Sequence, residues 1–479
     1  MAATARRVTH PSLDERRAAG RELKKRTPPE SHRRWRPAAD RPDPVGLLDE
    51  QNVRRESDLV PVRHGRMLVS PLTFYRGAAR IMAADLRATP RAGLTVQLCG
   101  DAHLSNFGAF ASPERTLLFD LNDFDETLPG PFEYDVMRLA ASLTIAARNS
   151  GFGKADAREA ALSSVRAYRE AMLDFSQMRV LDVWYAKLTE DDVMESLRTL
   201  EAAQKTVAKK REVQRGEAWA AHILMRAHER NSLQALEKLT EMVDGSHRIV
   251  SRPPVIVPAR DLPEVWDMSP DELSQDVTHL FRSYRATLQA DRRHLLEQFR
   301  IVDVARKVVG VGSVGTRAFI ALLQGRDAED PLFLQVKEAT RSVLEDHLPK
   351  SRYDPGARVV HGQRLMQAAS DIFLGWTKGI DPGRYYYWRQ FRDMKGSVEV
   401  EMLRPRGLAF YGTVCGRTLA RAHARSGDPV AIATYLGKSD AFDLAIADFS
   451  RRYADQTERD HEAFVQAVRK GRLEALEGV

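Results

Sequence analysis

The chain has 479 residues, 43 % of them hydrophobic and 29 % charged, with a formal net charge of +7 and only two cysteines. Such a length exceeds one simple core and implies two or three subdomains. No apolar run is long enough to span a bilayer and no apolar stretch follows Arg6 and Arg7, so a membrane protein and a secretory signal are both unexpected. Cys99 and Cys415 make neither a disulfide framework nor a zinc pattern, so the expected compartment is a reducing cytoplasm.

Residues 1–45 hold twelve Lys/Arg against six Asp/Glu, nearly all of the basic excess. With Lys24-Lys25-Arg26, Arg33-Arg34-Trp35-Arg36 and five prolines, this stretch reads as a basic, disordered tail. Nucleic acid is therefore not expected as a partner beyond weak contacts of that tail. The spacing of Phe74, Ala78, Ile81, Met82 and Leu86 predicts an amphipathic helix over 71–86. Leu94 to Cys99 reads as a strand running into Gly100-Asp101, and Thr116 to Leu121 as a second strand delivering Asn122 to Asp125. Pro129-Gly130-Pro131 is a turn before a helix from about Glu133 to Ala147. Residues 155–245 read as almost wholly helical, with Lys209-Lys210-Arg211 as a solvated basic face. Another helix is expected from Pro270 to Gln298.

The texture changes after Ile301. Val304 to Val309, Ala318 to Leu323 and Leu332 to Val336 read as strands, as does Tyr385 to Phe391, with a helix over Val359 to Leu374. The expected division is a tail at 1–45, a catalytic-loop core with helices at 46–300, a strand-rich lobe at 301–396, and closing helices at 397–479.

Gly310-x-Gly312-x-x-Gly315 is weak evidence alone, because dinucleotide turns, kinase phosphate loops and chance all produce it. Its context is strand, glycine loop, strand, turn, then a strand ending in Lys337, which is the phosphate-covering hairpin of a kinase small lobe. The plain alternative is a hairpin with a flexible turn and a surface lysine. Asp101 and Asn106 have the spacing of a kinase catalytic loop, where the Asp accepts the proton of the attacking hydroxyl and the Asn binds a metal. The plain alternative is an Asx-rich turn that caps backbone groups. His103 is a candidate that holds the loop or sits near the metal. Asp123 is the candidate metal carboxylate, with Asp125 for a second metal or a positioning role. Asp120 fits a turn as well as a site, and Asp135 reads as a carboxylate that braces the catalytic loop.

Gly100-Asp-Ala-His-Leu-Ser-Asn106, Asn122-Asp-Phe-Asp125 and Glu133-Tyr-Asp-Val-Met-Arg-Leu-Ala140 resemble the aminoglycoside and choline phosphotransferase branch of the protein-kinase-like superfamily. Phe74-Tyr-Arg-Gly-Ala78, Asn122-Asp-Phe-Asp-Glu126, Gln335-Val-Lys-Glu338 and Leu419-Ala-Arg-Ala-His-Ala-Arg-Ser-Gly-Asp428 resemble the bacterial "domain of unknown function 2252" family, over nearly the whole chain after the tail. The resemblance implies an α+β, protein-kinase-like, two-lobed fold and no particular substrate. In ordinary kinases the glycine loop and lysine precede the catalytic loop, whereas here they follow it by roughly 200 residues. The expectation is therefore a circular permutation, with Lys337 facing Asp101 and Asp123 across a cleft.

The expected activity is an ATP- and Mg²⁺-dependent phosphotransferase acting on a hydroxyl-bearing small molecule or protein. Gly310, Gly312 and Gly315 would cover the phosphates, Lys337 would contact them, and Asn106, Asp123 and Asp125 would hold the metal. Adenine is expected beside 385–391 and the hinge Arg392 to Lys395. The acidic partner of Lys337 stays open among Glu338, Glu345, Gln363, Gln367 and Asp371. Transfer of AMP to a protein, a nucleotide-binding pseudokinase, and a metal-dependent hydrolase built on His103 and the Asp cluster are the alternatives.

Overall fold

The computed structural model describes residues 9–202, 220–262, 270–391 and 394–478. Its architecture is mixed α+β and rich in helix.

The basic N-terminal stretch departs from the expected disorder over its described part. Helix α1 (Leu13–Arg26) opens with a reciprocal capping box between Ser12 and Glu15. Acidic residues fill its first turn and Lys24, Lys25 and Arg26 its last, which matches the helix dipole. Gly20 permits close approach to a later helix, since a Cβ there would lie 2.5 Å from the Ala431 carbonyl oxygen. Arg16 pairs with Asp428 at 2.8 Å and Arg33 with Asp448 at 2.9 Å, while Trp35 packs 4.9 Å from the Tyr453 ring. Composition alone misled because the carboxylates that match these arginines lie some 400 positions away.

Four short helices follow: α2 (Pro44–Asn52), α3 (Val60–Leu68), α4 (Pro71–Gly77) and α5 (Ala79–Leu86). The helix expected over 71–86 is thus two, broken at Ala78. Strand β1 (Thr95–Leu98) leads into Gly100, β2 (Phe107–Ala111) and β3 (Leu117–Leu121) form a hairpin, and β4 (Leu128–Pro131) returns to pair with β1. Helices α6 (Glu133–Asn149), α7 (Lys154–Gln177), α8 (Val180–Tyr185), α9 (Glu190–Ala202) and α10 (Ser232–Leu239) come next. The stretch expected as helical to 245 instead turns into a hairpin of β5 (Thr240–Val243) and β6 (Ser246–Ile249). Lys209-Lys210-Arg211 lies outside the described residues.

Six antiparallel strands make the main sheet. They are β7 (Ile256–Pro258), β8 (Arg300–Lys307), β9 (Ala318–Gln324), β10 (Pro331–Ala339), β11 (Gly375–Lys378) and β12 (Tyr385–Gln390), in the spatial order β11-β12-β10-β9-β8-β7. The sheet therefore begins before residue 301. Helix α11 (Pro270–Arg285) covers its face: Tyr284 stacks on Trp388 with ring centres 4.5 Å apart. A boundary at 301 would cut through this core. β7 is three residues long and ends in proline, too brief a signal to read in sequence. Helix α12 (Ala290–Leu296) precedes β8, and α13 (Pro355–Met366) lies between β10 and β11.

After the two-residue strand β13 (Gly396–Ser397), which extends the β2–β3 hairpin, come α14 (Pro405–Ser426), α15 (Pro429–Leu436) and α16 (Ala441–Arg469). These close over α6 and α7. At Gly416 a Cβ would lie 2.0 Å from the Ser164 carbonyl oxygen, so α14 and α7 touch backbone to backbone. One apolar core joins Leu98, Phe107, Leu121 and Phe124 with Val359 and Val360 of α13 and Leu419 of α14. That core fixes the site's carboxylate-bearing turns against the sheet. Among the described residues no helix is long and apolar enough to cross a membrane.

Candidate active site

Two segments far apart in sequence meet between the sheet and the helical body. Lys337, on β10, is only 3 % exposed at its side chain, and its Nζ lies 2.6 Å from Asp125 Oδ2 and 3.5 Å from Asp123 Oδ1. Tyr387, paired with Lys337 in the β10–β12 register, donates its hydroxyl to Asp125 Oδ1 at 2.7 Å. None of the five candidate partners of Lys337 serves. Glu338 points to the other strand face and pairs with Arg384 at 2.7 Å. Glu345 caps the turn at Ser342, Gln363 bonds Gln367, Gln367 bonds the Leu121 carbonyl, and Asp371 accepts the Phe373 N–H. The lysine's partners come from the carboxylate turn itself. Helix α13 contributes Arg358 instead, which donates to the backbone carbonyls of Asp125 and Thr127 and holds that turn in place.

The electrostatics follow from this packing. Burial pushes the Asp123 carboxyl up, but Lys337, Arg389 and Lys395 outweigh it, leaving the group lowered to about 2. Burial and the Asp123 charge raise Asp125, against the pull of Lys337. Burial disfavours the Lys337 ammonium, yet the two carboxylates prevail and raise its pKa.

The catalytic-loop candidates sit beside this pair. Gly100 has φ +86°, and a Cβ there would meet the Glu126 carbonyl oxygen at 2.2 Å, so only glycine lets the two turns touch. Asp135 accepts the Cys99 and Gly100 N–H groups at 2.7 and 3.0 Å, and His423 backs it at 3.2 Å. Arg138 donates to Asp101 Oδ1 through Nε at 2.7 Å and Nη2 at 2.6 Å. The Arg138 guanidinium lies over the Tyr75 ring, 3.9 Å from its centre, and donates to the Tyr75 carbonyl. Burial raises the Asp101 pKa and Arg138 opposes it. His103 is buried and its pKa falls well below the ordinary value; its Nδ1 accepts the Ser105 N–H at 3.2 Å, and its Nε2 lies 3.8 Å from Asp101. A neutral, loop-holding imidazole fits that placement.

Asn106 Nδ2 donates to the Asp101 carbonyl at 2.7 Å, which leaves Oδ1 as the atom able to ligate. Mg²⁺ takes one or two carboxylates and fills its shell with water and phosphate oxygens, so Asn106 with Asp123 and Asp125 is a fitting donor set. An all-protein cage is absent: among the described residues no three His, Cys, Asp or Glu side chains cluster as metal ligands.

The glycine loop arches over the same place. Gly310 and Gly315 take positive φ, 65° and 87°, while at Gly312 a Cβ would lie 3.1 Å from the Arg76 carbonyl oxygen. Val311 is buried among Phe74, Ala78 and Ile81, and Val314 among Leu59 and Val62. The Glu56 N–H donates to the Gly315 carbonyl at 2.8 Å and Arg66 to that of Gly310 at 2.6 Å. The loop is tied down by segments 55–81, and the valines between the glycines are the signal for it.

Two cavities flank Asp123. The first, of about 360 Å³, is lined by Asp101, His103, Asn106, Gly312, Arg55 and Arg76 among others. The second, of about 260 Å³, lies towards the hinge and is lined by Lys337, Gln335, Arg389, Phe110, Phe391 and Lys395 among others. Asp123, Gly310 and Ser313 border both. Arg392 and Asp393 of the expected hinge lie outside the described residues. Burial and the neighbouring Arg389 lower the Lys395 pKa to about 7. Eight of the nine sequence candidates, Asp101, His103, Asn106, Asp123, Asp125, Gly310, Gly312 and Lys337, thus line these two cavities, while Gly315 lines neither and packs against Arg55 and Glu56. Arg138, Tyr387, Arg358, Arg55 and Arg76 went unread. Only Arg138 had a sequence signal for a site role, one helical turn after Asp135 on the face that meets the loop.

Residues 55–467 match the family described as "uncharacterized protein conserved in bacteria (DUF2252)". The chain belongs to that family. No curated protein and no solved structure matches it.

Proposed function

Taking that family membership as the premise, we propose that this chain is an ATP- and Mg²⁺-dependent phosphotransferase with a circularly permuted, protein-kinase-like fold. One observation carries the reading: Lys337 meets Asp123 and Asp125 beneath a glycine loop, in a cleft that also holds Asp101 and Asn106. The order of parts supports it further. The glycine loop joins β8 to β9 and the lysine lies on the next strand, β10, as in a kinase small lobe. Catalytic loop and carboxylate turn come earlier in the chain, with the β2–β3 hairpin between them.

In this reading the second cavity takes the adenine end, with Val309, Phe110 and Phe391 as apolar contacts. Lys337 turns from the carboxylates to the phosphates as these enter. A bound Mg²⁺ would supply neutralisation of the phosphate charge. Asn106 and Asp123 would hold it, with Asp125 kept in place by Tyr387. Asp101 orients the acceptor hydroxyl and receives its proton, and Arg138 keeps the carboxylate aimed by occupying Oδ1. Catalysis then rests on positioning and charge neutralisation. The test is ATP consumption with Mg²⁺, together with calorimetric ADP binding, in wild type and Asp123→Ala. Equal affinity and equal turnover in both would reject the metal assignment.

Adenylyl transfer is the second reading, favoured by the basic character of the second cavity. Arg389 and Lys395 there suit a triphosphate tail better than a purine, which would invert the nucleotide. The mass added to an acceptor protein separates the two: a phosphate for the first reading, an adenylate for the second.

A further inference from the structure

The first cavity carries two guanidiniums, those of Arg55 and Arg76, that form no ion pair among the described residues. Each carboxylate lining it except Glu126 is already ion-paired. Asp101 pairs with Arg138, Asp123 and Asp125 with Lys337, Glu338 with Arg384, and Glu50 and Asp346 with Arg80. Glu126 accepts the Val343 N–H at 2.7 Å. Arg55 and Arg76 are left over. Arg55 donates to the Val314 carbonyl, and its Nε is buried without a partner. Arg76 makes no hydrogen bond or ion pair among the described residues, and its Nε is likewise buried and unsatisfied. Burial lowers the pKa of both guanidiniums, that of Arg55 to about 10, against the pull of Glu126, Glu338 and Asp125 on Arg55 and of Glu401 and Asp101 on Arg76.

Two half-buried guanidiniums with orphaned Nε atoms and no ion pair, in a wall that also carries the proton-accepting Asp101, are costly unless an anion joins them. Their fork geometry suits phosphate or carboxylate oxygens. Both line the catalytic-loop side of Asp123, away from the hinge. We infer that the acceptor is itself an anion, a small hydroxyl compound already bearing a phosphate or carboxylate, which Arg55 and Arg76 grip while its hydroxyl faces Asp101. This rests on the phosphotransfer reading. The hydroxyl oxygen bonds to the γ-phosphorus as the bond from that phosphorus to the ADP bridging oxygen breaks, and the hydroxyl proton passes to Asp101. A cavity of about 360 Å³ holds a molecule the size of a sugar phosphate.

The experiment uses the full chain saturated with Mg²⁺ and a non-hydrolysable ATP analogue, so that the γ-phosphate position is filled, and titrates inorganic phosphate by calorimetry. Phosphate is expected to bind, and to bind at least about tenfold more weakly to Arg76→Gln and Arg55→Gln, with analogue affinity unchanged in Arg76→Gln, since Arg55 also tethers the glycine loop. Thermal melting of each variant checks folding; Arg76→Lys, which keeps the charge and loses the fork, is expected to fall between. Absence of phosphate binding, or equal binding in all variants, overturns the inference. So does a parallel loss of analogue affinity in Arg76→Gln, which would assign that arginine to the nucleotide. If the analogue itself fails to bind wild type, the phosphotransfer reading falls, while arginine-dependent phosphate binding would still uphold the anion site. With labelled ATP, glycerol 3-phosphate and glucose 6-phosphate are expected to be labelled over glycerol, glucose and the cationic glucosamine. The reverse preference overturns the inference.

Discussion

Lys337 Nζ and Asp125 Oδ2 lie 2.6 Å apart although 212 positions separate them in the chain. The ammonium is buried between two carboxylates, so removing it strands negative charge in a poorly solvated place. Lys337→Met is expected to cost about 3–5 kcal/mol in chemical denaturation. Millimolar Mg²⁺ should restore part of that loss, because a cation then replaces the ammonium. A variant as stable as wild type, with or without Mg²⁺, would show that the contact contributes nothing.

Asp101→Asn should separate chemistry from binding. The amide keeps the shape and loses the proton acceptor. Turnover is expected to fall by about 10²–10⁴, while calorimetric ADP affinity stays at the wild-type value. Loss of both together would place Asp101 in the nucleotide site instead.

Glu133 predicts a pH dependence of stability. One oxygen accepts the Ala92 N–H at 2.6 Å, the other is buried without a partner, and burial raises the pKa from 4.5 to about 7. A raised folded-state pKa means that the stabilising, protonated form is complete below about 4.5 and is lost as pH climbs through 7. Wild type should therefore lose up to about 3 kcal/mol from this group between pH 4.5 and 8. Glu133→Gln should flatten that segment of the curve. Denaturation midpoints across the range decide it, and identical slopes would dismiss the assignment.

Lys395 ties nucleotide affinity to pH. Its pKa of about 7 in the free protein means that, if the nucleotide lies inverted as in the adenylyl-transfer reading, a phosphate entering the second cavity must find, or take up, a proton there. ADP affinity should weaken several-fold from pH 6 to pH 8, and Lys395→Gln should remove that dependence. A pH-independent affinity in wild type would exclude the lysine from the nucleotide's surroundings.

Gly20 tests whether the basic N-terminus belongs to the fold. A Cβ there would clash with the Ala431 carbonyl oxygen, so Gly20→Val should push α1 off α15 and lower Tm by several degrees. If this stretch were the solvated arm that its composition implies, the substitution would change nothing.

Local chemistry was legible and long-range matching was not. Asp101, Asn106 and Asp123 announced themselves by spacing, and the glycine loop with Lys337 by strand context. What escaped was set by tertiary contact. Asp123 reads in sequence as a metal carboxylate and Asp125 as one for a second metal or a positioning role, so the part both play as partners of Lys337 is invisible there. Arg76 lay within Phe74-Tyr-Arg-Gly-Ala78, quoted as a motif, yet no periodicity says that an arginine will face a cavity. Arg33 and Arg41 read as tail charges because Asp448, Asp85 and Asp460 could not be placed beside them. The β7 edge strand was missed because three residues carry no alternation.

The tying of the glycine loop to segments 55–81 has a consequence for how the protein is made. Arg55 and the Val314 carbonyl it meets are 259 positions apart. At ordinary translation speeds of about 5–20 residues per second, the loop leaves the ribosome roughly 13–50 seconds after its seat. For that interval Leu59, Val62, Phe74 and Ile81 await the valines that cover them. The nascent chain thus displays a sticky seat for a period long compared with local folding. Holding that seat quiet until the third quarter of the chain arrives is a task for chaperones, and the separation of seat and loop along the chain is what lengthens the wait.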